Sequence, residues 1–417
     1  MNKSTFLQII SQWLPVVGLL MLISSIPYGW TVYQKISCII FGLGYAVYLW
    51  TAKPWRGWHW RRENWLYVVM IILWLMIPVR QLFDPTPATD YFHFQWHKHE
   101  WFLYVGIMGI LGFSDKLTLR QVAWVMLGTS VVMFLHCGWL YYFADEFHDY
   151  YSFERWEVLR RTHINSHMVM NLYINGALVV ALCAWRTIKN TWEKVALVLA
   201  MLIAWSVILF SAGRIGAIGS LVIVGVALIY AMFRRNRYAG LACIVLVVAA
   251  GLTVMLLKPR LRPDAFRHEA RVAIWDYSMR MAKQRPITGY GFSTLSVQYV
   301  EQAYTDPVMY NGFIATVIEL NPAFAAQGKT MQTHHPHNAF LLYWLGIGIF
   351  GLLAFIALFV VAACLPIGEN RVFLWLFLFA LFLQCMTEPV GAHVLPQCIA
   401  LVLFVIEHGH RSALQPL

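Results

Sequence analysis

Apolar runs recur along almost the whole chain, at lengths near the roughly 20 residues that an α-helix needs to cross a bilayer. A backbone inside lipid must satisfy its own hydrogen bonds, so repeated runs of this length predict helices. The chain is 60% hydrophobic and only 12% charged, a composition that excludes an ordinary soluble domain. We therefore expect an all-α polytopic membrane protein whose first partner is the lipid bilayer, with no nucleic acid partner.

About twelve membrane-spanning helices can be drawn on these runs. The predicted spans lie at residues 9–30, 36–51, 66–82, 101–114, 122–143, 166–185, 195–211, 215–233, 239–257, 338–364, 372–388 and 391–407. They divide the chain into three parts: helices 1–9 over residues 1–257, one large loop over 258–337, and helices 10–12 over 338–417.

The orientation in the membrane follows from the basic residues of the short connections. Clusters of Lys and Arg lie after the second, fourth, sixth and eighth spans. Placing all of these clusters in the cytoplasm satisfies the positive-inside rule and puts both termini there. The loop over residues 258–337 then faces the opposite compartment, which is the periplasm if the membrane is the inner membrane of a Gram-negative cell.

This periplasmic loop, of roughly 80 residues, is too long to be a simple connection. Pro263 and Asp264 predict a helix start, and apolar positions recur at three- and four-residue spacing over residues 265–283. The pattern predicts an amphipathic helix on the outer leaflet, with Val272, Trp275, Met279 and Ala282 on its apolar face. A turn at residues 289–291 precedes a second short helix near 293–303, whereas residues 304–333 show no clear period.

A cluster of histidines closes this loop, immediately before the next apolar run. His334, His335, His337 and Asn338 are costly to place at a lipid boundary, which favours a functional role. Histidine ionises near neutral pH, so His337 is the candidate for a catalytic base, with His335 in a secondary role. Asn338 is expected to cap the following helix or to orient the imidazole. The alternative is a set of structural histidines at a helix start.

Arginines on the outer side form the second candidate group: Arg214, Arg271, Arg160 and Arg161. A guanidinium donates two parallel hydrogen bonds to phosphate oxygens and stays charged when half buried, which suits a diphosphate. Each has an ordinary alternative. Arg214 could be a snorkelling residue at a helix end, Arg271 could face lipid or core, and the Arg160–Arg161 pair could bind phospholipid.

No metal site and no cofactor is expected. His335 and His337 lie two residues apart, but two histidines do not make a metal site. The sequence contains no HExxH, DxD or Cys/His motif that would supply further ligands.

Several short motifs together resemble the O-antigen ligase and polymerase superfamily, over residues 211–353. They are the SAGR turn at 211–214, Arg271 four residues before Trp275, PITGYGF at 286–292, HPHNAFL at 335–341 and GIG at 346–348. The resemblance implies a GT-C-like, metal-independent, inverting glycosyltransferase of the bacterial inner membrane. In the ligase, polysaccharide carried on undecaprenyl pyrophosphate is moved onto lipid A–core at the periplasmic face.

The functional residues of the superfamily map onto this chain by motif. Its arginines correspond to Arg214 and Arg271 and its histidine to His337, whereas Arg161 matches only by its position before the sixth span. The implied donor is an undecaprenyl-pyrophosphate-linked O-antigen and the implied acceptor is lipid A–core. An O-antigen polymerase and an O-linked protein glycosyltransferase of the same superfamily remain alternatives. The alternative from a different class is a transporter of lipid-linked saccharides.

Overall fold

The computed structural model describes residues 3–28, 32–57, 59–143, 167–210, 214–257, 270–315, 335–387 and 395–414. Over these ranges the structure is helical and contains no strand. The longer helices are α1 (Lys3–Ser25), α2 (Val32–Ala52), α3 (Asn64–Gln81), α4 (Asp90–Leu111), α5 (Leu119–Phe143), α6 (His167–Ala184), α7 (Thr191–Phe210), α8 (Arg214–Arg235), α9 (Arg237–Leu257), α10 (Ala270–Gln284), α11 (Phe292–Thr305), α12 (Ala339–Ile347), α13 (Ile349–Ala363), α14 (Arg371–Thr387) and α15 (Leu395–Leu414).

Many of these helices have the length and composition of membrane spans, which makes the chain a polytopic membrane protein. Seven such segments are present in the described part: Leu7–Tyr28, Val32–Ala52, Asn64–Gln81, Leu119–Trp139, Thr191–Leu209, Ile215–Arg235 and Gly368–Thr387. Shorter apolar helices lie at Met168–Ala184, Arg237–Thr253 and Ile349–Ala363. The predicted spans at 101–114 and 391–407 overlap α4 and α15, which are not among these segments, and residues 391–394 lie outside the described ranges. The count of twelve stays a prediction.

Helix α6 lies at the centre of the bundle. Every residue from 169 to 181 is buried, and the helix contacts α5, α8, α14 and α15. Asn171 and Asn175 on this helix are buried and would be costly to place in lipid, which favours a position inside the bundle.

The structure corrects the prediction of one continuous span over residues 338–364. The helix breaks at Gly348, where φ is +84°, into α12 of 9 residues and α13 of 15 residues. The backbone N–H of Ile349 donates to the carbonyl of Pro286 at 2.9 Å. At the break, the hydrogen-bond acceptor is therefore a loop residue and not a residue of the preceding helical turn. At 1.5 Å per residue α12 is roughly 14 Å long, which is too short to cross a bilayer.

The described part of the loop contains the two predicted helices, as α10 and α11, while residues 258–269, including Pro263 and Asp264, lie outside the described ranges. The predicted apolar face of α10 is wrong in part. Val272 is 55% exposed, whereas Ala282 is buried as predicted and Trp275 packs against the core. The prediction left out Ile274, Tyr277 and Met281, which are buried.

This buried face lies against protein rather than the outer leaflet. Tyr277 donates its hydroxyl to the carbonyl of Tyr299 on α11 at 2.7 Å, and the Ser278 and Tyr299 hydroxyls are 2.8 Å apart. Helix α10 also contacts α12. After α11, the region predicted to lack a clear period begins with a helical turn, Pro307–Met309, which continues as a π-helical turn over Tyr310–Ile314.

Candidate active site

Asn338 fixes the start of α12. It is the N-cap of this helix, as predicted. Its side-chain oxygen accepts the backbone N–H of Leu341 at 3.1 Å, and its amide nitrogen donates to the carbonyl of Met386 on α14 at 3.1 Å. The residue is only 4% exposed. Because both amide atoms bind backbone groups, Asn338 anchors the corner instead of orienting an imidazole.

His337, immediately before this cap, holds an unusual backbone conformation. Its φ is +47°, and Lys53 is the other described non-glycine residue with a positive φ. For an L-residue this region costs on the order of 1 kcal/mol, so surrounding contacts must hold it there. One such contact comes from α10, where the Trp275 indole N–H donates to the His337 carbonyl at 3.4 Å.

His335 packs directly on His337. The ring centroids are 4.4 Å apart at an interplanar angle of 63°, and the backbone N–H of His337 donates to Nδ1 of His335 at 3.4 Å. An accepting Nδ1 assigns the proton of a neutral His335 ring to Nε2. Both histidines are half-buried. His335 therefore supports the fold of the corner, and His337 offers a partly accessible imidazole.

Arg271 lies one helical turn before Trp275 on α10. Side chains four residues apart lie on the same face of a helix, so Arg271 shares the face that carries Trp275 to the histidine corner. Its side chain is half-buried. The structure thus brings the predicted arginine helix and the predicted histidine pair to the same corner.

Arg214 is the first residue of α8, and the structure describes its backbone but not its side chain. Two residues later, Gly216 packs against α6 so closely that a Cβ there would clash with the Asn171 side chain. The carbonyl of Gly216 accepts from the Asn175 amide at 3.4 Å. These contacts fix the start of α8. Arg160, Arg161 and His334 lie outside the described residues.

The other two motifs form a clamp on the far end of α12. The backbone N–H of Tyr290 donates to the carbonyl of Leu345 at 2.6 Å, and that of Gly291 donates to the carbonyl of Gly346 at 2.9 Å. A Cβ on Gly289 would lie 2.5 Å from the backbone nitrogen of Gly348. Glycine is needed here because two backbone segments touch. Helix α12 is therefore held at both ends.

A buried histidine that the sequence did not single out also holds α12. His99 on α4 has its Nε2 2.7 Å from the Tyr343 hydroxyl and its Nδ1 2.7 Å from the Gln95 carbonyl. Tyr343 in turn stacks on Phe355, with centroids 4.5 Å apart. The sequence does show a polar pair, Gln95 and His99, at i, i+4 spacing. No sequence pattern links these two residues to Tyr343.

Chemically, the arrangement offers one half-buried imidazole on an anchored corner and one guanidinium on the helix that contacts it. Such a pair can take a proton from a hydroxyl and hold an anionic phosphate. Across the described ranges, no three His, Cys, Asp or Glu side chains converge as metal ligands.

One family model matches the middle of the chain. Residues 199–356 match the family model described as O-antigen ligase. The matched segment runs from α7 into α13 and contains Arg214, Arg271, the 286–292 turn and the 335–341 corner. It confirms the predicted resemblance. No curated protein matches the chain.

Proposed function

We propose that this chain, which carries an O-antigen ligase family segment at residues 199–356, is an O-antigen ligase. It transfers a polysaccharide from undecaprenyl pyrophosphate to lipid A–core and inverts the configuration of the transferred sugar. We place the reaction at the periplasmic face of the bacterial inner membrane. The chain crosses that membrane about twelve times, with residues 258–337 as the periplasmic loop.

The observation that carries the proposal is the contact between Trp275 and His337. It joins the helix of Arg271 to the corner of the imidazole, so a group that holds an anion and a group that takes a proton lie on touching elements. A polyprenyl-pyrophosphate sugar needs both, since its leaving group is a diphosphate and its acceptor is a neutral hydroxyl.

The proposed step is a single displacement. The donor pyrophosphate binds Arg271 and Arg214, with Arg161 and Arg160 as further contacts. The acceptor hydroxyl attacks the anomeric carbon and gives its proton to His337, while the bond from that carbon to the pyrophosphate oxygen breaks. Undecaprenyl pyrophosphate leaves with the bonding electrons, and the arginines stabilise its growing charge. Attack opposite the leaving group inverts the configuration.

The proposal is tested with the purified full chain, a defined lipid-linked saccharide and lipid A–core, in the presence of EDTA. The expected product is lipid A–core carrying the saccharide. Loss of activity in EDTA with recovery on addition of a divalent cation would contradict the metal-free part of the mechanism. Elongation of the donor without any change in lipid A–core would instead identify a polymerase.

The cellular counterpart distinguishes a ligase from a transporter. Cells that lack the gene are expected to make bare lipid A–core and to accumulate the undecaprenyl-linked polymer on the outer leaflet. Retention of the donor on the inner leaflet would contradict the ligase and indicate transport.

A further inference from the structure

A second basic site lies away from the histidine corner. The end of α3, the turn that follows α10 and the start of α13 enclose a groove with a volume of about 580 Å³. Arg80 of α3 and Arg285 of the turn both line it, together with Thr288. None of these residues belongs to the proposed reaction.

The Arg80 guanidinium is fixed by the backbone. Its Nε donates to the carbonyl of Thr288 at 2.8 Å and its Nη2 to the carbonyl of Gly289 at 3.2 Å. Its Nη1 is buried and has no hydrogen-bond acceptor within the described residues. The two backbone carbonyls therefore hold a cationic group at the groove wall.

Neither arginine is neutralised by an ion pair in the described part of the chain. Arg285 lies over the Tyr290 ring, with its Cζ 4.7 Å from the centroid. The neighbouring carboxylate, Asp84, accepts the backbone N–H groups of Thr86 at 3.0 Å and Thr294 at 3.3 Å, and also the Thr294 hydroxyl. Two cations beside one carboxylate that is already hydrogen-bonded leave a net positive charge.

The rest of the groove is apolar and exposed. Phe83 is 77%, Ile287 62% and Phe350 60% exposed. On a membrane protein, side chains of this kind face acyl chains, and cations beside them meet lipid headgroups. The groove therefore combines the two surfaces that an anionic lipid requires: basic groups for its phosphate and an apolar wall for its chain.

We propose that this groove binds the phosphate of a membrane lipid, with Arg80 and Arg285 on the phosphate oxygens and the acyl chain along Ile287 and Phe350. Occupancy supports the clamp on α12, because Arg80 binds the Thr288–Gly289 backbone that faces the helix break. Neither arginine takes part in the proposed transfer, so lipid binding at the groove can be measured without a transfer assay.

The test is lipid binding to the purified full chain in detergent, measured by native mass spectrometry. Dioleoylphosphatidylglycerol is expected to bind roughly tenfold tighter than dioleoylphosphatidylcholine. Arg285→Gln removes one exposed guanidinium without touching the backbone clamp, and is expected to weaken this preference at least roughly threefold, because Arg80 remains in the groove. Lys283→Gln removes an equal charge two residues away, outside the groove, and is expected to leave the preference intact.

Equal binding of the two lipids, or an unchanged preference in Arg285→Gln, would overturn the proposal. Equal loss in Lys283→Gln would do the same, because it would show a diffuse charge effect. Inorganic phosphate and glycerol 3-phosphate separate the lipid from the free anion. Competition by either at the lipid's own concentration range would overturn the assignment to a lipid.

Discussion

Trp275 donates its indole N–H to the backbone carbonyl of His337 across 3.4 Å and so ties α10 to the corner where α12 begins. His337 holds a left-handed backbone at this point, with φ +47°. The contact fixes the His337 carbonyl at the end of the loop. It also explains why an arginine one turn earlier on α10 belongs to the same site.

Trp275→Phe removes the indole N–H but keeps an aromatic ring on α10. Loss of one hydrogen bond at the corner is expected to lower the initial rate of transfer roughly fivefold, with little change in unfolding temperature. Trp375→Phe is the matched control, because the Trp375 indole on α14 also donates to a backbone carbonyl, that of Ala363 at the end of α13, at 3.0 Å. Wild-type rates in Trp275→Phe would show that the contact does not position His337.

The two bonds of Asn338 can be separated by substitution. Asn338→Ala removes the cap of α12 and the bond to Met386, and is expected to lower the free energy of unfolding by about 1–2 kcal/mol. Asn338→Ser keeps a capping oxygen but loses the bond to Met386. Its stability should therefore fall between that of the wild type and that of Asn338→Ala. Thermal unfolding in detergent measures the order of stability among the wild type and the two variants. Equal stability of the serine and alanine variants would contradict the cap.

Gly348→Ala tests the break between α12 and α13. Its φ is +84°, and a Cβ there would clash with the Ile287 carbonyl, so the clamp must open to accept it. The free energy of unfolding is expected to fall by more than about 1 kcal/mol, and the initial rate of saccharide transfer is expected to fall with it. Gly128→Ala is the control: it lies within α5, and nothing lies within 4 Å of its added Cβ. If the two variants were equally stable, the break would not need glycine.

The turn after α11 should be sensitive to acid. Burial alone would raise the pKa of Asp306, but the N–H bonds from Met309 and Val308 and the Arg280 guanidinium outweigh it and lower that pKa. Arg280 holds both carboxylate oxygens, at 2.7 and 2.8 Å. The stabilisation is present above the unfolded-state pKa, near 3.9, and is lost as pH falls through the lower folded value.

Asp306→Asn is therefore expected to be less stable than the wild type near pH 7. The difference in unfolding temperature should shrink as the pH drops below about 4. A constant difference over this range would show that the charge of Asp306 does not stabilise the turn.

Sequence patterns predicted much of this architecture because hydrophobic period and length are local properties. The apolar helices, the loop helices α10 and α11 and the Asn338 cap all follow from such signals. The break at Gly348 did not, since it depends on Pro286 accepting the Ile349 N–H across 2.9 Å. The buried face of α10 was missed for the same reason: Tyr299, on another helix, decides which side is covered.

In the candidate site, too, local sequence signals were predictable and contacts between distant segments were not. Motif spacing selected His337 and Arg271, and the structure adds the contact that joins their elements. The pairing of His99 with Tyr343 and the groove of Arg80 and Arg285 depend on packing between distant segments, so composition gave no sign of either.

The most direct measurement is the initial rate of saccharide transfer to lipid A–core by His337→Ala beside His335→Ala, each with its unfolding temperature. A general base contributes roughly a hundredfold or more, so His337→Ala should lose at least that while remaining folded. His335→Ala, which removes a supporting ring, should lose roughly tenfold. A folded His337→Ala variant that transfers at the wild-type rate would contradict the account.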